Sequence, residues 1–415
     1  MPTLRRRLGI GHAIVVGLAS MIGAGVFYVW APAAGVAGSG YLVGLVIAGL
    51  IASLNALSSA QLAMAYPMSG GAYAFGRATI GEWWGFSAGW LFLAGKTASA
   101  GAIALIAGSY LWPDQARTVA VAAIVVLGAG NLAGIRSTAR VSVVVVFVVL
   151  SGLAALLGAV VLGGGSAYSG IELSTALDAG WYGILQSAGL LFFCFAGYAR
   201  MATLGEEVVD PRHTLPRAIV TALAVTVVLY AVIGLLCAAV LGIDALAAST
   251  SPVADVARSA LGGTGWPVFA SVLAAVASLG SLVGILAGLS RTGLAMARDG
   301  ELPGPLSLIS VRTHAPIVAE TTFGVLAILG VLVLDPRQLV GFSACAVLVY
   351  YAIAHVAALR QPRAGRWLHP AVQILGMAGC SALAVTLPWQ AVLGAGGVLA
   401  LGLAARGIRL ALSRS

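Results

Sequence analysis

The sequence predicts an all-α polytopic membrane protein with about twelve transmembrane helices, arranged as an inverted five-helix repeat with broken helices 1 and 6. Three observations predict this class. The 415-residue chain is 60% hydrophobic and 8% charged, whereas globular proteins carry about 25% charged residues. Apolar segments of roughly 18 to 28 residues recur between short polar turns, and such lengths cross a bilayer. Two of these segments are interrupted near their middle by small residues.

Twelve apolar segments, numbered 1 to 12 below, are predicted at 12–31, 38–62, 82–109, 117–134, 141–162, 183–203, 216–241, 266–296, 317–334, 337–359, 368–386 and 390–406. Segments 1–5 and 6–10 are expected to form the two repeats, with segments 11 and 12 following them. No connecting loop is longer than about 20 residues, so residues 1–415 are expected to form a single transmembrane domain. The inner loop 66–81, with its glycines and proline, is expected to be an irregular loop, with a re-entrant segment or a tight connection as the alternatives.

The arginines predict the orientation of the chain. With the N-terminus inside, the outer loops hold Arg117, Arg258 and Arg337. Setting aside these three and Lys96, the other eighteen of the 22 basic residues lie on the cytoplasmic side (22 − 3 − 1 = 18). This bias follows the positive-inside rule and predicts a plasma-membrane protein with both termini in the cytoplasm. The net charge of +9 therefore reports topology, and no nucleic-acid partner is expected.

Segment 1 contains the sequence Met-Ile-Gly-Ala-Gly-Val-Phe at residues 21–27. Glycine costs about 1 kcal/mol in a helix interior relative to alanine, so Gly23 and Gly25 indicate an interruption of the helix. In lipid, such a break is viable only inside the protein or beside a water-filled cavity. Two half-helices that meet there expose unpaired amides and carbonyls and opposite dipole ends. The pattern predicts a binding site made of backbone.

Segment 6 contains a second interruption, Phe-Ala-Gly-Tyr at residues 195–198, at a similar depth and with the opposite chain direction. Paired breaks of opposite sense are typical of inverted-repeat transporters with a site at the membrane midplane. The alternative is that glycine, present 55 times, is common in membrane helices because small residues allow close packing.

Four motifs together resemble the amino acid–polyamine–organocation permeases, in the bacterial branch related to cationic amino acid transporters. They are Gly-Leu-Ala-Ser-Met-Ile-Gly-Ala-Gly-Val-Phe (17–27), Tyr-Pro-Met-Ser-Gly-Gly-Ala-Tyr (66–73), the run Gly-Glu-Glu-Val-Val-Asp-Pro-Arg-His (205–213) with its continuation to 219, and Ser-Arg-Thr-Gly-Leu-Ala-Met-Ala-Arg-Asp-Gly (290–300). The resemblance spans most of the chain and implies the LeuT-like fold of ten helices in two inverted repeats, followed by two more.

The resemblance also implies a substrate site between segments 1, 3, 6 and 8. The carboxylate of an amino acid is expected on the amides of Gly23, Ala24 and Gly25. Its ammonium is expected on freed carbonyls near Ile22 in segment 1 and near Phe195 and Ala196 in segment 6. Many relatives carry a hydroxyl where this chain has Ala24, so one side-chain contact is expected to be missing. Substrate contacts are also expected at the second break from Gly197 and Tyr198, with Phe192 and Phe193 as further candidates for an aromatic wall or gate, unless these rings serve packing alone.

Lys96 is the only lysine in the sequence. It lies about 14 residues from each end of segment 3, a distance of about 21 Å at 1.5 Å per residue. Its stem cannot reach the membrane surface. A cation at this depth costs roughly 2.5–3.5 kcal/mol, so it is expected to face the bundle interior or a cavity.

Three roles for Lys96 remain open: a titrating or cation-mimicking charge that couples transport to protons, a direct substrate contact, or a permanent ion pair. Some relatives that use protons carry a lysine in helix 5, but the corresponding position here is Val148 or Val149. A deep ion pair is disfavoured. Glu320 is the only acidic residue that the sequence places inside the membrane, and it lies near the cytoplasmic end of segment 9.

Arg200 follows the second break, and it is interpreted as an anchor or gate at the inner leaflet or as part of the substrate path. Ser278 and Ser281 in segment 8 are candidates for a cation site or gate, although membrane serines often bond their own helix.

An enzyme is not expected, because none of the five histidines belongs to a metal-binding or nucleophile motif, and His355 is expected to pack against a neighbour. Cofactors and metals are likewise not expected. The sequence therefore predicts a secondary active amino acid transporter by alternating access, coupled to protons, for a neutral or cationic amino acid. The alternatives are an amino acid or polyamine exchanger, a sodium-coupled symporter, and, more remotely, a channel or receptor.

Overall fold

The computed structural model describes residues 9–66, 71–133, 139–163, 173–198, 201, 208–313, 315–362 and 365–412. Within these ranges the regular structure is helical and no β-strand is present. Arg200 lies outside the described residues, as do residues 205–207 of the motif 205–213.

The first half of the chain forms nine α-helices, which are α1 (Ile10–Met21), α2 (Gly25–Tyr28), α3 (Trp30–Ala37), α4 (Tyr41–Ala65), α5 (Ala72–Thr79), α6 (Glu82–Leu111), α7 (Ala116–Leu132), α8 (Ala139–Gly163) and α9 (Gly180–Phe195). The second half adds eight described helices, which are α10 (Pro211–Leu241), α11 (Ile243–Ala248), α12 (Pro252–Leu261), α13 (Gly265–Arg298), α14 (Ile317–Val333), α15 (Pro336–Arg360), α16 (Pro370–Thr386) and α17 (Trp389–Leu412).

Each of the twelve predicted segments contains an apolar helix. Eight stretches of the described chain are long and apolar enough to cross a membrane, and four shorter apolar helices, α1, α9, α14 and α16, lie in segments 1, 6, 9 and 11. Two of the short helices, α1 and α9, end at the predicted interruptions. The four cysteines are free and buried.

The connections contain more helix than the sequence suggested. In the loop predicted as irregular, α5 buries Tyr73 and Phe75, so that expectation is wrong over residues 72–79. Between segments 7 and 8, α12 buries Val253 and Val256. Short amphipathic helices of this kind are easily missed, because their apolar face is only two turns long.

The helices form layers around α6 and α15. These two helices contact each other closely and are buried over most of their length. In contrast, α7 and α17 are mostly exposed. Exposed tryptophans lie near helix ends, among them Trp83, Trp84, Trp112, Trp181, Trp266, Trp367 and Trp389, as expected for rings at the two membrane interfaces. The central position of α6 places Lys96 inside the bundle.

A cluster of charged side chains ties three elements together at one end of the bundle, called the arginine-rich end below. Glu301, which follows α13, accepts hydrogen bonds from Arg406 at 2.7 and 2.8 Å and from Arg409 at 3.0 Å. Arg77 on α5 lies 3.3 Å from Asp299. Although burial opposes the charged form, the hydrogen bonds and charges of Arg406 and Arg409 hold the pKa of Glu301 below its usual value.

Replacing Glu301 by glutamine is expected to destabilise the protein by about 3–5 kcal/mol, because the buried guanidinium of Arg406 would lose its main partner. Since the pKa of Glu301 is lowered in the folded state, its contribution is fully present above the unfolded value of 4.5 and is lost as the pH falls through the folded value. Thermal unfolding in detergent as a function of pH measures this difference between wild type and variant.

The matched control for this prediction is Glu82→Gln. Glu82 is 67% exposed in its side chain, so its removal is expected to cost at most about 1 kcal/mol. A difference between wild type and Glu301→Gln that stays constant as the pH falls below 4.5 would contradict the assigned role of Glu301.

Candidate functional site

Segment 1 is interrupted between Met21, where α1 ends, and Gly25, where α2 begins. The turn is an inverse γ-turn centred on Ile22, with φ −86° and ψ 78°, and the amide of Gly23 donates to the carbonyl of Met21 at 3.0 Å. On the far side, Val29 is itself helical and joins α2 to α3. The break is therefore followed by an almost continuous helical run to Ala37.

The N-terminal side of this run presents free donors. Among the described residues, no carbonyl accepts a hydrogen bond from the amides of Ala24, Gly25 or Val26. These amides belong to the first turn of the run, where unpaired N–H groups and the positive end of the helix dipole favour a negative group. The geometry is suited to a carboxylate.

Segment 6 is interrupted directly beside the first break. Here α9 ends at Phe195, and residues 196–198 form a turn. A Cβ built on Gly197 would lie 1.9 Å from the carbonyl oxygen of Ser20 and 2.8 Å from the amide nitrogen of Met21. The two broken segments thus touch backbone to backbone, and at this position only glycine leaves room for the contact.

The glycines of the first break serve the same purpose. A Cβ on Gly25 would lie 2.7 Å from the sulfur of Cys194 in α9, and one on Gly23 would lie 2.8 Å from the hydroxyl oxygen of Ser281 in α13. The same glycines therefore interrupt the helix and allow close packing, which the sequence had left as alternatives.

Tyr230 of α10 connects the two breaks. Its hydroxyl lies 2.7 Å from the carbonyl oxygen of Met21 and 3.2 Å from that of Cys194. The ring is fully buried and packs against Phe195 with centroids 4.9 Å apart. Because a hydroxyl has one proton, it can donate fully to only one carbonyl at a time. Tyr230 holds the C-terminal ends of α1 and α9 at a fixed separation.

Lys96 reaches the second break. Its Nζ donates to the carbonyl oxygen of Ala196 at 3.4 Å, and the hydroxyl of Tyr351 donates to the same oxygen at 3.3 Å. A carbonyl has two lone pairs, so both are in use. Within the described ranges, no carboxylate lies within the 4.0 Å ion-pair distance of Lys96. The structure brings Lys96 to the predicted ammonium site without a charged partner.

Three of the four predicted aromatic residues of segment 6 are packed inside the bundle, whereas Phe193 is partly buried. Phe192, Phe195 and Tyr198 are fully buried. Phe192 meets Tyr351 edge to face with centroids 5.8 Å apart, and Tyr198 stacks on Tyr351 with centroids 5.1 Å apart. These rings form a wall around the second break, and whether they gate a substrate stays a prediction.

The other predicted site residues have different surroundings. Ser278 donates to Ala274 at 2.6 Å and Ser281 donates to Ser278 at 2.9 Å, so both hydroxyls bond their own helix. Of the two candidate positions in segment 5, Val149 is buried and Val148 is 45% exposed, so Val149 is the one that faces the bundle. Cation binding by the serines and any role of Arg200 stay predictions.

Sequence reasoning missed Tyr230 and Tyr351, although each contacts backbone at a break. The available signal was a tyrosine in the middle of an apolar segment, because a buried hydroxyl needs a partner. That signal does not identify which carbonyl is the partner, and only the packing of segments 7 and 10 against segment 6 does so.

Comparisons with known proteins give the family of the chain. Residues 8–402 match the family described as amino acid permeases. An uncharacterized transporter of Mycobacterium tuberculosis is 47% identical over 412 residues, covering 99% of this chain and 93% of the relative. A branched-chain amino acid permease of Bacillus subtilis is 28% identical over 94% of this chain and 90% of its own length.

A cationic amino acid transporter of Arabidopsis thaliana is 28% identical over 86% of this chain and 62% of the relative. The matches to relatives extend across both breaks and the helices that hold them. The protein is a transporter and not an enzyme, and the chain belongs to the amino acid permease family of the amino acid–polyamine–organocation superfamily.

Proposed function

We propose that this permease imports a neutral amino acid together with a proton across the plasma membrane by alternating access. The observation that carries the proposal is the pair of touching helix breaks, with free amides on one side and Lys96 on the other. A cationic amino acid is the second candidate substrate, because cationic amino acid transporters are among the relatives.

The substrate carboxylate is assigned to the amides of Ala24, Gly25 and Val26. Anions are stabilised at helix N-termini by unpaired N–H groups and the helix dipole. The first two were expected from the sequence, together with Gly23, but the amide of Gly23 is already bonded to Met21. The proposal therefore moves the carboxylate site one residue along the chain.

The substrate ammonium is assigned to the carbonyl of Ile22. The carbonyl of Phe195 is a further acceptor, because it accepts one hydrogen bond, from the amide of Tyr198 at 3.4 Å, and keeps a second lone pair. Ala196 was expected to contribute as well, but its carbonyl oxygen already accepts from Lys96 and Tyr351. A second cation on the substrate side chain would have no described carboxylate near the site and would meet the charge of Lys96. This supports a neutral substrate over a cationic one.

Lys96 is assigned the coupling role. A protonated Lys96 binds the carbonyl of Ala196 and so holds the end of α9 in the position seen here. A neutral lysine donates a weaker hydrogen bond than an ammonium. Loss of the proton therefore loosens the second break and favours its opening. Protonation from the outside and deprotonation toward the inside would drive net import.

The orientation that this scheme requires has the arginine-rich end in the cytoplasm. The excess of arginine over the opposite end supports it through the positive-inside rule, and both chain termini are then cytoplasmic. A plasma-membrane location is supported by the bacterial permease among the relatives.

Uptake into vesicles containing the purified protein tests the proposal. The probes are radiolabelled L-leucine, L-alanine, L-arginine, L-glutamate and putrescine, each under an inward proton gradient, an inward sodium gradient, or neither. We expect L-leucine or L-alanine to accumulate with the proton gradient alone. Accumulation driven by sodium, or exchange without accumulation, contradicts proton coupling. Transport of putrescine without any amino acid contradicts the substrate class.

A further inference from the structure

A line of buried polar side chains lies beside the second break, on two helices that the proposed transport cycle does not use. On α4, Asn55, Ser58 and Gln61 follow one another at intervals of three residues, close to one face of the helix. On the facing helix, His355 lies in α15 and Gln361 follows its end. We call these five residues the polar seam.

The two sides of the polar seam touch at two levels. Nε2 of His355 contacts Oδ1 of Asn55. Six residues further along both helices, Nε2 of Gln61 donates to Oε1 of Gln361 at 3.0 Å. The two helices are therefore in register. All five side chains are at most 1% exposed, and polar groups buried in this way are costly unless they are hydrogen-bonded.

Several atoms of the polar seam have no such partner. Nδ2 of Asn55, Oγ of Ser58 and Nδ1 of His355 make no hydrogen bond to any described residue. Oδ1 of Asn55 also accepts from the thiol of Cys380 at 3.2 Å, so it is an acceptor and Nε2 of His355 is the donor. Nδ1 is then a free acceptor beside the free donor Nδ2. An alternation of donors and acceptors suits water molecules, each of which needs two to four polar partners.

The polar seam is connected at both ends. At the end beside the second break, the hydroxyl of Tyr198 faces Asn55 and Tyr351 without a hydrogen bond of regular geometry. Tyr351 in turn donates to the carbonyl of Ala196, which Lys96 also contacts. At the other end, Gln361 donates to the carbonyl of Gly365 at 2.9 Å, in the partly exposed loop before α16. The line therefore extends from the second break to the surface.

We propose that the polar seam holds water and conducts the proton of Lys96 to the arginine-rich end. This rests on the proposed coupling role of Lys96. The proton leaves Nζ of Lys96 for a water beside the hydroxyls of Tyr351 and Tyr198, and a neutral amine remains. Each water along the polar seam accepts one proton and donates another, and Nδ1 of His355 accepts a proton and returns it to the next water. No electron pair leaves its atom and no bond other than those to hydrogen changes.

Within the polar seam, His355 is the residue whose side chain has a ring nitrogen that can take up a proton and release it again. The titratable groups around its partner Asn55 are Cys380 on α16, whose thiol donates to Asn55, and Tyr198 beyond α9, which stacks on Tyr351 of α15. Charged groups on other helices packed against α15 are bonded away from the polar seam. Lys96 on α6 contacts Ala196, Arg77 on α5 pairs with Asp299, and Arg406 on α17 pairs with Glu301. The imidazole ring also lies against Gly376, whose Cβ, if present, would overlap it.

Hydroxyl-radical footprinting of the full-length protein in vesicles tests for the water directly. The chain supplies its own controls, because Tyr41 and Tyr230 are as buried as Tyr198 but have hydroxyls bonded to backbone carbonyls. We expect modification of Tyr198 and none of Tyr41 or Tyr230. A Tyr198 as unreactive as Tyr41 overturns the proposal.

The variant His355→Gln tests for the proton. Glutamine keeps hydrogen-bonding groups but cannot take up a proton at neutral pH. We expect the initial rate of proton-driven L-leucine uptake to be at least about tenfold below wild type, with L-leucine counterflow unchanged because exchange needs no net proton movement. Ser343→Ala, on the same helix but paired with Ser99 of α6, is the matched control and should retain the wild-type uptake rate.

Should His355→Gln not fold, Ser58→Val provides the second variant, since valine replaces the hydroxyl by a methyl group and adds a second methyl group that excludes water. An initial uptake rate equal to wild type in either folded variant overturns the proposal. If the wild-type protein shows no proton-driven accumulation, the proposed function is contradicted instead. Footprinting of Tyr198 still decides whether the polar seam holds water.

Discussion

Replacing Lys96 by alanine is expected to abolish proton-dependent accumulation of the substrate while substrate exchange remains measurable. The variant removes the ammonium from the carbonyl of Ala196 and leaves the free amides of the first break in place. With one proton per substrate, a gradient of about one pH unit supports at most about tenfold accumulation. The ratio of inner to outer substrate should fall from that ceiling to about one.

Lys96→Arg separates coupling from a structural need for charge. Arginine keeps the positive charge but does not release its proton, so a structural role would be rescued and a coupling role would not. We expect Lys96→Arg to lose accumulation as Lys96→Ala does. The measurement is radiolabelled uptake and counterflow in the same vesicles. Accumulation at the wild-type level by folded Lys96→Ala would show that the coupling charge lies elsewhere.

Replacing Gly197 by alanine is expected to destabilise the protein more than the same replacement at Gly23 or Gly25, the glycines of the first break. The new Cβ would meet the carbonyl of Ser20 at 1.9 Å and the amide of Met21 at 2.8 Å. Both are backbone atoms, so no side chain can rotate away and the two broken segments must separate. Overpacking of this kind costs about 1–3 kcal/mol or more. Separation would also displace the breaks that form the binding site.

Gly128→Ala on α7 is the matched control, because a Cβ there meets no atom within 4 Å. Alanine favours a helix interior by about 1 kcal/mol over glycine, so this variant should be as stable as wild type or more so. Thermal unfolding in detergent and substrate counterflow together measure the outcome. A Gly197→Ala protein with the wild-type melting temperature and counterflow would disprove the close approach of the two segments.

Much of the architecture could be predicted because it follows from the membrane itself. Backbone polar groups in lipid must be satisfied within each segment, so an apolar run predicts a helix and an internal pair of glycines predicts its interruption. Each predicted segment contains a described helix, and both α1 and α9 end at the expected residues. The depth of Lys96 follows from counting along a helix.

The helices in the connections could not be predicted to the same degree. Residues 72–79 were expected to be irregular, yet α5 forms there because Tyr73 and Phe75 pack against neighbouring segments. Contacts made by distant parts of the chain stabilise such short helices, and a local pattern does not contain those contacts.

By itself, the sequence determined the helical membrane class, the positions of the two breaks and the family, since composition, periodicity and motif order are local properties. Tertiary structure decided which groups meet at the breaks. It placed Lys96 and Tyr351 on one carbonyl, removed Ala196 from the free acceptors, and set Gly197 against Ser20. The physical reason is that helix rotation and packing, which depend on all segments together, determine which faces come into contact.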